Sequence, residues 1–232
     1  MAVIDHHPAD PSFSFTDVAP RYDVLNRLMS LGRDRHWRQA AAAALNLPDG
    51  ARVLDVGAGT GDMSLALLRR WPGITVVGVE PAAEMMHVGR GKPDAEKVNW
   101  SQGNGLRLPF PDGYFDGVVS AFLLRNVPDV EGALTEQFRV VKPGGRVVCL
   151  EMTWPQMPGF REVFQFYFSK LAPPIMGILS GQPAAYRFLP RSVRRFLKPE
   201  QLKAAMERVG LQNVHYKMLM LGTVALHVGE RR

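Results

Sequence analysis

Val53-Leu54-Asp55-Val56-Gly57-Ala58-Gly59-Thr60-Gly61-Asp62 is the stretch on which the fold turns. Arg52 to Val56 is β-branched and apolar and reads as a buried strand. Three alternating glycines follow, and Asp62 to Trp71 then has helix character. Glycines at a strand-to-helix turn let the backbone approach a ligand closely, and the helix N-terminus favours anionic groups. The spacing is not that of a dinucleotide fingerprint. There a glycine stands three positions after Gly59; here Asp62 does, and its carboxylate would repel a pyrophosphate. Glycines at 57, 59 and 61, with Asp55 inside the strand end, suit an amino-acid moiety carrying both an ammonium and a carboxylate.

Outward from this turn, the pattern from Ala51 to Met152 alternates short apolar strands with helical stretches. Strands are predicted at Ile74 to Val79, Val98 to Ser101, Phe115 to Ala121 and Arg146 to Glu151, with helices at Ala82 to Arg90 and from Asp129 to Val140. Pro143-Gly144-Gly145 reads as a turn. This alternation predicts an α/β fold, a doubly wound and mostly parallel sheet whose ligands bind just beyond the carboxyl ends of the strands. Before it, Tyr22, Leu25, Leu28 and Met29 repeat at helical spacing, as do Trp37, Ala41 and Leu45, with Asp34 placed to cap the second helix. After it, Phe160 to Ile178 is dense in Phe, Tyr and Met, Pro199 to Val209 is helical, and Val214 to Leu219 with Thr223 to Val228 reads as a terminal hairpin. Residues 1–48 are therefore expected to form a helical segment packed on a domain of residues 49–232, with a lid at about 155–198.

Composition narrows the classes. The chain has 232 residues, 46% of them hydrophobic and 22% charged, which suits one globular domain with a full core. No apolar run reaches the roughly 18 residues of a membrane span, and Met1 to Pro11 has no apolar region of a secretory signal. The single cysteine, Cys149, excludes a disulfide framework and zinc ribbons and fits a reducing compartment. The net charge of +6 allows an anionic partner. Its sharpest local source is Arg187, Arg191, Arg194, Arg195 and Lys198, but no nucleic-acid-binding pattern accompanies it, so nucleic acid is not an expected partner.

Two further residues complete a nucleoside site. Glu80 ends the second strand, where a carboxylate accepts hydrogen bonds from a ribose diol. Asn104 follows the third strand, where its amide is placed to read an adenine edge. No His/Cys/Asp cluster has metal-ligand spacing.

These residues resemble those of class I S-adenosylmethionine-dependent methyltransferases, and the match narrows to the ubiquinone/menaquinone biosynthesis C-methyltransferases (UbiE/MenG type). The narrower likeness rests on Tyr22-Asp23-Val24-Leu25-Asn26, Leu124-Arg125-Asn126-Val127 and Ala225-Leu226-His227, with Trp37-Arg38, Lys142-Pro143-Gly144-Gly145 and Tyr186 in support. It covers roughly residues 12 to 230. The resemblance implies a Rossmann-like seven-stranded sheet with N-terminal helices, a helical lid insertion and a C-terminal antiparallel hairpin. It implies a cofactor, S-adenosyl-L-methionine, at Gly57, Gly59, Thr60, Glu80, Asn104, Gly105 and Ala121. It also implies methyl transfer to a ring carbon of a prenylated quinol, either a demethylmenaquinol or a 2-polyprenyl-6-methoxy-1,4-benzoquinol. There are departures: Glu80 stands where the family usually has Asp, Leu123 where it often has Gly, Ala121 where some members have Ser, and Phe188 in place of a second Tyr.

On the acceptor side Arg125 is expected to stabilise a developing phenolate, with Asn126 and Tyr186 as substrate contacts and His227 as a candidate general base. Tyr22 and Arg38 are expected to close the cofactor site, Arg38 reaching the methionine carboxylate. A prenylated substrate must leave a bilayer. The aromatic stretch and the arginines after it therefore predict a lid that touches an anionic membrane surface transiently, on an otherwise cytoplasmic protein. A homodimer stays open. So do a methyltransferase of another apolar small molecule and a non-catalytic binding module; an oxidoreductase is argued against by Asp62.

Overall fold

Val53 and Leu54 are neighbours in one strand, point to opposite faces and are both fully buried. A strand of that kind needs cover on both sides of its sheet. The structure, a computed structural model, describes residues 19–180 and 183–232, with side chains except at 179–188. Its single sheet is built from β1 (Arg52–Val56), β2 (Thr75–Glu80), β3 (Val98–Gln102), β4 (Phe115–Ala121), β5 (Val141–Met152), β6 (Gln212–Leu219) and β7 (Val224–Glu230). The strand order is β3-β2-β1-β4-β5-β7-β6. β1 to β5 pair in parallel, and β7 is antiparallel to both β5 and β6.

Each face carries its own core. On one, Leu54, Val56, Val118, Val147 and Cys149 pack under α5 (Val130–Val140) and α9 (Pro199–Arg208). On the other, Val53, Val76, Val119, Val148 and Leu150 pack under α2 (Asp34–Ala44) and α3 (Asp62–Arg70). The chain winds outward from β1 to β2 and β3, then returns to β4 on the other side of β1. The crevice at this reversal, beyond the carboxyl ends of β1 and β4, is where the fold leaves room for a ligand.

The predicted ends of β1 and β4 coincide with the observed ones. The turn expected at Pro143-Gly144-Gly145 instead lies within the path of β5. There the ladder with β4 jumps from Phe115↔Val141 to Gly117↔Arg146, and Gly144 N–H donates to the Arg231 carbonyl at 2.6 Å. Asp34 is not a cap. It is the first residue of α2, and its buried carboxylate accepts from Ser30 Oγ at 2.9 Å and Arg38 Nη1 at 3.1 Å.

Five further helices complete the described fold. α1 (Tyr22–Met29) precedes α2, and α4 (Ala83–Arg90) follows β2. The aromatic stretch forms α6 (Phe160–Phe166), a widened π turn (Tyr167–Leu171) and α7 (Ala172–Ser180), followed by α8 (Pro183–Arg195). The widened turn lies directly before Pro173 and Pro174, whose missing N–H groups interrupt the i→i−4 ladder there. Phe164 and Phe168 stack at 5.0 Å between centroids, with Trp154 edge-on to Phe164 at 5.5 Å. Among the described residues no helix is long and apolar enough to cross a membrane.

Candidate active site

The glycine turn is tied to the next strand before any ligand is considered. The N–H groups of Gly57 and Ala58 both donate to the Val79 carbonyl, at 2.8 and 2.9 Å. Gly61 has φ of 80°, and a Cβ on it would come within 2.6 Å of Trp100 Cη2. Gly89 of α4 meets the same ring atom at the same distance, so two glycines make the slot that lodges one indole beside the turn. Glu80 reaches across from the end of β2. Its Oε2 accepts from Gly59 N–H at 2.9 Å and its Oε1 from Ala82 N–H at 3.0 Å. Burial raises its pKa, and these two backbone donors act against that shift. One bond to each oxygen leaves lone pairs for a diol.

Beneath the turn, Asp55 is fully buried and accepts from Ser64 Oγ at 2.6 Å. Burial pushes its carboxyl up to about 6, against the opposing pull of Ser64 and of the Arg38 charge. Its Oδ1 and the Nε of Arg38 are both buried and have no hydrogen-bond partner among the described residues. An orphaned acceptor and an orphaned cationic donor close enough to feel one another's charge fit the ammonium and carboxylate of an amino acid. The residues present thus suit a ligand with a ribose at one end and an amino-acid group at the other.

The remaining cofactor candidates are placed around the same crevice with differing support. Asn104 is exposed, and its Oδ1 accepts from Leu106 N–H at 2.9 Å, closing its own turn. A Cβ on Gly105 would stand 3.2 Å from Val56 Cγ1, so this glycine lets its loop lie close on the end of β1. Ala121 is the last residue of β4. Thr60 is buried, and its hydroxyl donates to Asp23 Oδ1 of α1 at 2.5 Å. Leu123 reaches over the turn: a Cβ on Gly57 would lie 2.7 Å from its Cδ1.

The loop after β4 makes the acceptor side. Phe122 has φ of 61°, a left-handed conformation that is strained for an aromatic residue. Its carbonyl accepts from Arg125 Nη1 at 2.6 Å and from Asn126 Nδ2 at 3.0 Å. Arg125 also pairs with Glu151 Oε2 at 3.2 Å, while Glu151 Oε1 accepts from Leu124 N–H at 2.6 Å. Burial raises the pKa of Glu151, opposed first by the Arg125 charge. The guanidinium carbons of Arg38 and Arg125 lie 5.4 and 5.7 Å from the centroid of the Phe122 ring.

Both arginines line a cavity of about 250 Å³ that is otherwise mostly apolar. α1 and α2 contribute Tyr22, Met29 and Trp37, and α6 with the widened turn after it contributes Phe160, Phe164 and Tyr167. Arg125 Nε is buried without a partner among the described residues. Asn126 is not among the residues that line the cavity, and its Nδ2 donates to the Phe122 carbonyl.

His227 requires a correction. It is fully buried on β7, opposite Cys149, and faces α9 rather than the cavity. Its Nε2–H donates to the Pro199 carbonyl at 2.9 Å, and burial pulls its pKa down to about 4. Alternation along β7 decides this: Val224, Leu226 and Val228 face the other core, which turns His227 under α9. The Tyr186 side chain lies outside the described residues. Sequence reasoning passed over Glu151, Phe122 and Lys92. Glu151 carried the same signal as Glu80, an acid at the carboxyl end of a buried parallel strand.

Residues 12–231 match the model of the ubiE/COQ5 methyltransferase family. The chain belongs to that family. The demethylmenaquinone methyltransferase of Thermus thermophilus is 45% identical over 219 residues, 94% of this chain and 99% of the relative. The ubiquinone/menaquinone biosynthesis C-methyltransferase UbiE of Geobacter sulfurreducens is 41% identical over 222 residues, 94% of this chain and 86% of the relative. Among solved structures, the [4+2]-cyclase SpnF superposes with a TM-score of 0.68 at 18% identity, covering 97% of this chain and 98% of that one. A SAM-dependent methyltransferase of Thermotoga maritima does so with 0.64 at 19%, covering 94% and 98%. The structural likeness shows the fold alone, since a cyclase and a methyltransferase share it. The family likeness makes this member of the ubiE/COQ5 group a methyltransferase.

Proposed function

We propose that the protein transfers the methyl group of S-adenosyl-L-methionine to a ring carbon of a prenylated quinol, a demethylmenaquinol or a 2-polyprenyl-6-methoxy-1,4-benzoquinol. The observation that carries this is the aromatic-walled cavity whose lining includes two arginines with buried side chains. It suits a flat apolar ring that bears an oxygen able to become anionic. The names of the relatives point to the same chemistry.

S-Adenosylmethionine, when bound, supplies an electrophilic methyl group on a sulfonium. On the protein's side, Glu80 accepts the ribose hydroxyls, Asp55 and Arg38 receive the amino-acid group, and Gly57, Gly59, Thr60, Asn104, Gly105 and Ala121 shape the remaining wall. Arg125 holds its charge toward the ring oxygen and stabilises a phenolate as it develops. In this apolar, water-poor enclosure such a charge is worth more than in solvent. Glu151 and the Phe122 carbonyl fix its direction. The lid at about 155–198 and α1 keep water from the reacting groups. Residues 49–232 form the methyltransferase domain; of the helical segment 1–48, residues 19–48 pack on it and 1–18 lie outside the described residues.

The acceptor arrives from a membrane in this account. Val24, Leu31, Val163, Phe166, Ile178 and Leu221 are each more than 60% exposed and belong to the segments that wall the cavity or adjoin them. Together with exposed Arg191 and Arg195 they form an apolar and cationic face suited to a transient contact with anionic lipid. The test is to extract quinones from a host that lacks the gene and weigh them. Accumulation of a quinone short of one ring methyl supports the function and identifies the ring. An unchanged quinone pool, with another apolar metabolite short of a methyl, contradicts it.

A further inference from the structure

Lys92 lies in the turn after α4, and none of the roles above uses it. Its ammonium is 2.6 Å from Asp23 Oδ2 on α1, 2.6 Å from Asp62 Oδ1 in the first turn of α3, and 3.1 Å from Thr60 Oγ1 in the glycine turn. Thr60 Oγ1 in turn donates to Asp23 Oδ1. The three charged side chains are only 17–21% exposed. One cation thus joins three separate segments, its own turn, α1 and the glycine turn that runs into α3, and the buried Thr60 hydroxyl has both its proton and a lone pair committed to that cluster.

We propose that Lys92 is a positioning residue that holds α1 down across the Gly57–Gly61 turn, so that one short helix walls the cofactor crevice and the acceptor cavity together. Eight residues are too few to hold a helix in place by propensity alone, so α1 depends on its tertiary ties. Leu25 is its one buried apolar side chain, Val24 and Leu28 are exposed, and Tyr22, Asn26 and Met29, spaced four and three apart, face the cavity. Without the ammonium, Asp23 and Asp62 are left as two like charges that had shared one counter-ion at contact distance. Their repulsion lifts α1 from the turn and opens both sites at once. An orienting role for Lys92 therefore has a signature that bulk stability lacks: removing a second charge restores what removing the first destroyed.

This inference rests on the cofactor reading above, and its test separates the two. Binding of S-adenosylhomocysteine is measured by calorimetry on the wild-type protein, Lys92→Met, Lys92→Arg and the double variant Asp23→Asn/Lys92→Met, each confirmed as folded by circular dichroism. Lys92→Met should bind about tenfold or more weakly, with the double variant recovering most of that loss and Lys92→Arg lying between. In turnover, Lys92→Met should raise the KM for the quinol with a smaller change in kcat. Affinity of Lys92→Met within about twofold of wild type, or a double variant no tighter than the single one, overturns the proposal. If Lys92→Met does not fold, Lys92→Gln, which removes the charge and keeps a polar end, carries the same comparison beside Asp23→Asn/Lys92→Gln. The single variant must then bind severalfold more weakly and the double variant recover most of the loss; unchanged affinity of the single variant, or no recovery, overturns the proposal. No binding to the wild-type protein would instead count against the cofactor reading.

Discussion

Glu80 ends β2 and Glu151 stands one residue before the end of β5; both are buried, and they do different work because of what faces them. Glu80 meets only backbone N–H groups, so its acceptor capacity stays available to a ligand. Glu151 meets a guanidinium and a backbone N–H, so its charge serves to aim Arg125. Glu80→Ala should therefore weaken S-adenosylmethionine binding by about 1–3 kcal/mol by calorimetry, and unchanged affinity in a folded variant would remove the ribose role. Arg125→Ala should lower kcat/KM for the quinol by about 10²-fold while cofactor affinity holds. A loss confined to cofactor affinity would place Arg125 on the wrong side of the methyl group.

At the scale of elements, β7 and α9 meet at His227, and the contact carries a pH dependence. The imidazole titrates near 6.5 when unfolded and near 4 in the folded protein. Its neutral form is the one the fold accommodates. Its contribution is complete above pH 6.5 and is lost as pH falls toward 4, on the order of 3 kcal/mol in all. Asp55 works in the opposite sense. Its carboxyl, raised to about 6, favours the fold when protonated, so its contribution declines as pH rises from 3.8 to 6. The stability difference between the wild type and His227→Gln, from urea melts, should shift in favour of the variant by that amount between pH 6.5 and 4. A difference that does not vary with pH would mean the imidazole is charged in place. The elements themselves were largely legible: the β-branched runs set β1 and β4 to the residue, and the glycine turn located the crevice. The role of His227 was not legible, because which face of β7 it takes depends on pairing with β5, a contact made across 78 residues of chain. Lys92 was hidden for the same reason, since Asp23, Thr60 and Asp62 meet it only once α1 folds over the turn. The register jump in β5 likewise came from its partner strand.

On the whole molecule, the cavity opens beside exposed apolar side chains: Leu31 and Val163 line it and are each more than 60% exposed. The basic run foreseen in the sequence is divided in its use: Arg191, Arg194 and Arg195 are all exposed, but Arg194 also stacks over Trp154 at 4.8 Å and touches Ser169. Liposome co-sedimentation should show binding that needs anionic lipid and weakens with salt. Replacing Arg191 and Arg195 with Gln should reduce it by about 1 kcal/mol for each, and Val163→Ser/Phe166→Ser should reduce it at any salt. Binding indifferent to salt and to these changes would mean the face meets something other than a membrane. Purified protein given S-adenosylmethionine with a trideuterated methyl group and a reduced, short-chain demethylmenaquinol or benzoquinol should yield a product that carries the trideuteromethyl group on a ring carbon, read by mass spectrometry and proton NMR. Label on a ring oxygen, or no label on either quinol while the cofactor is bound, would contradict the proposed transfer.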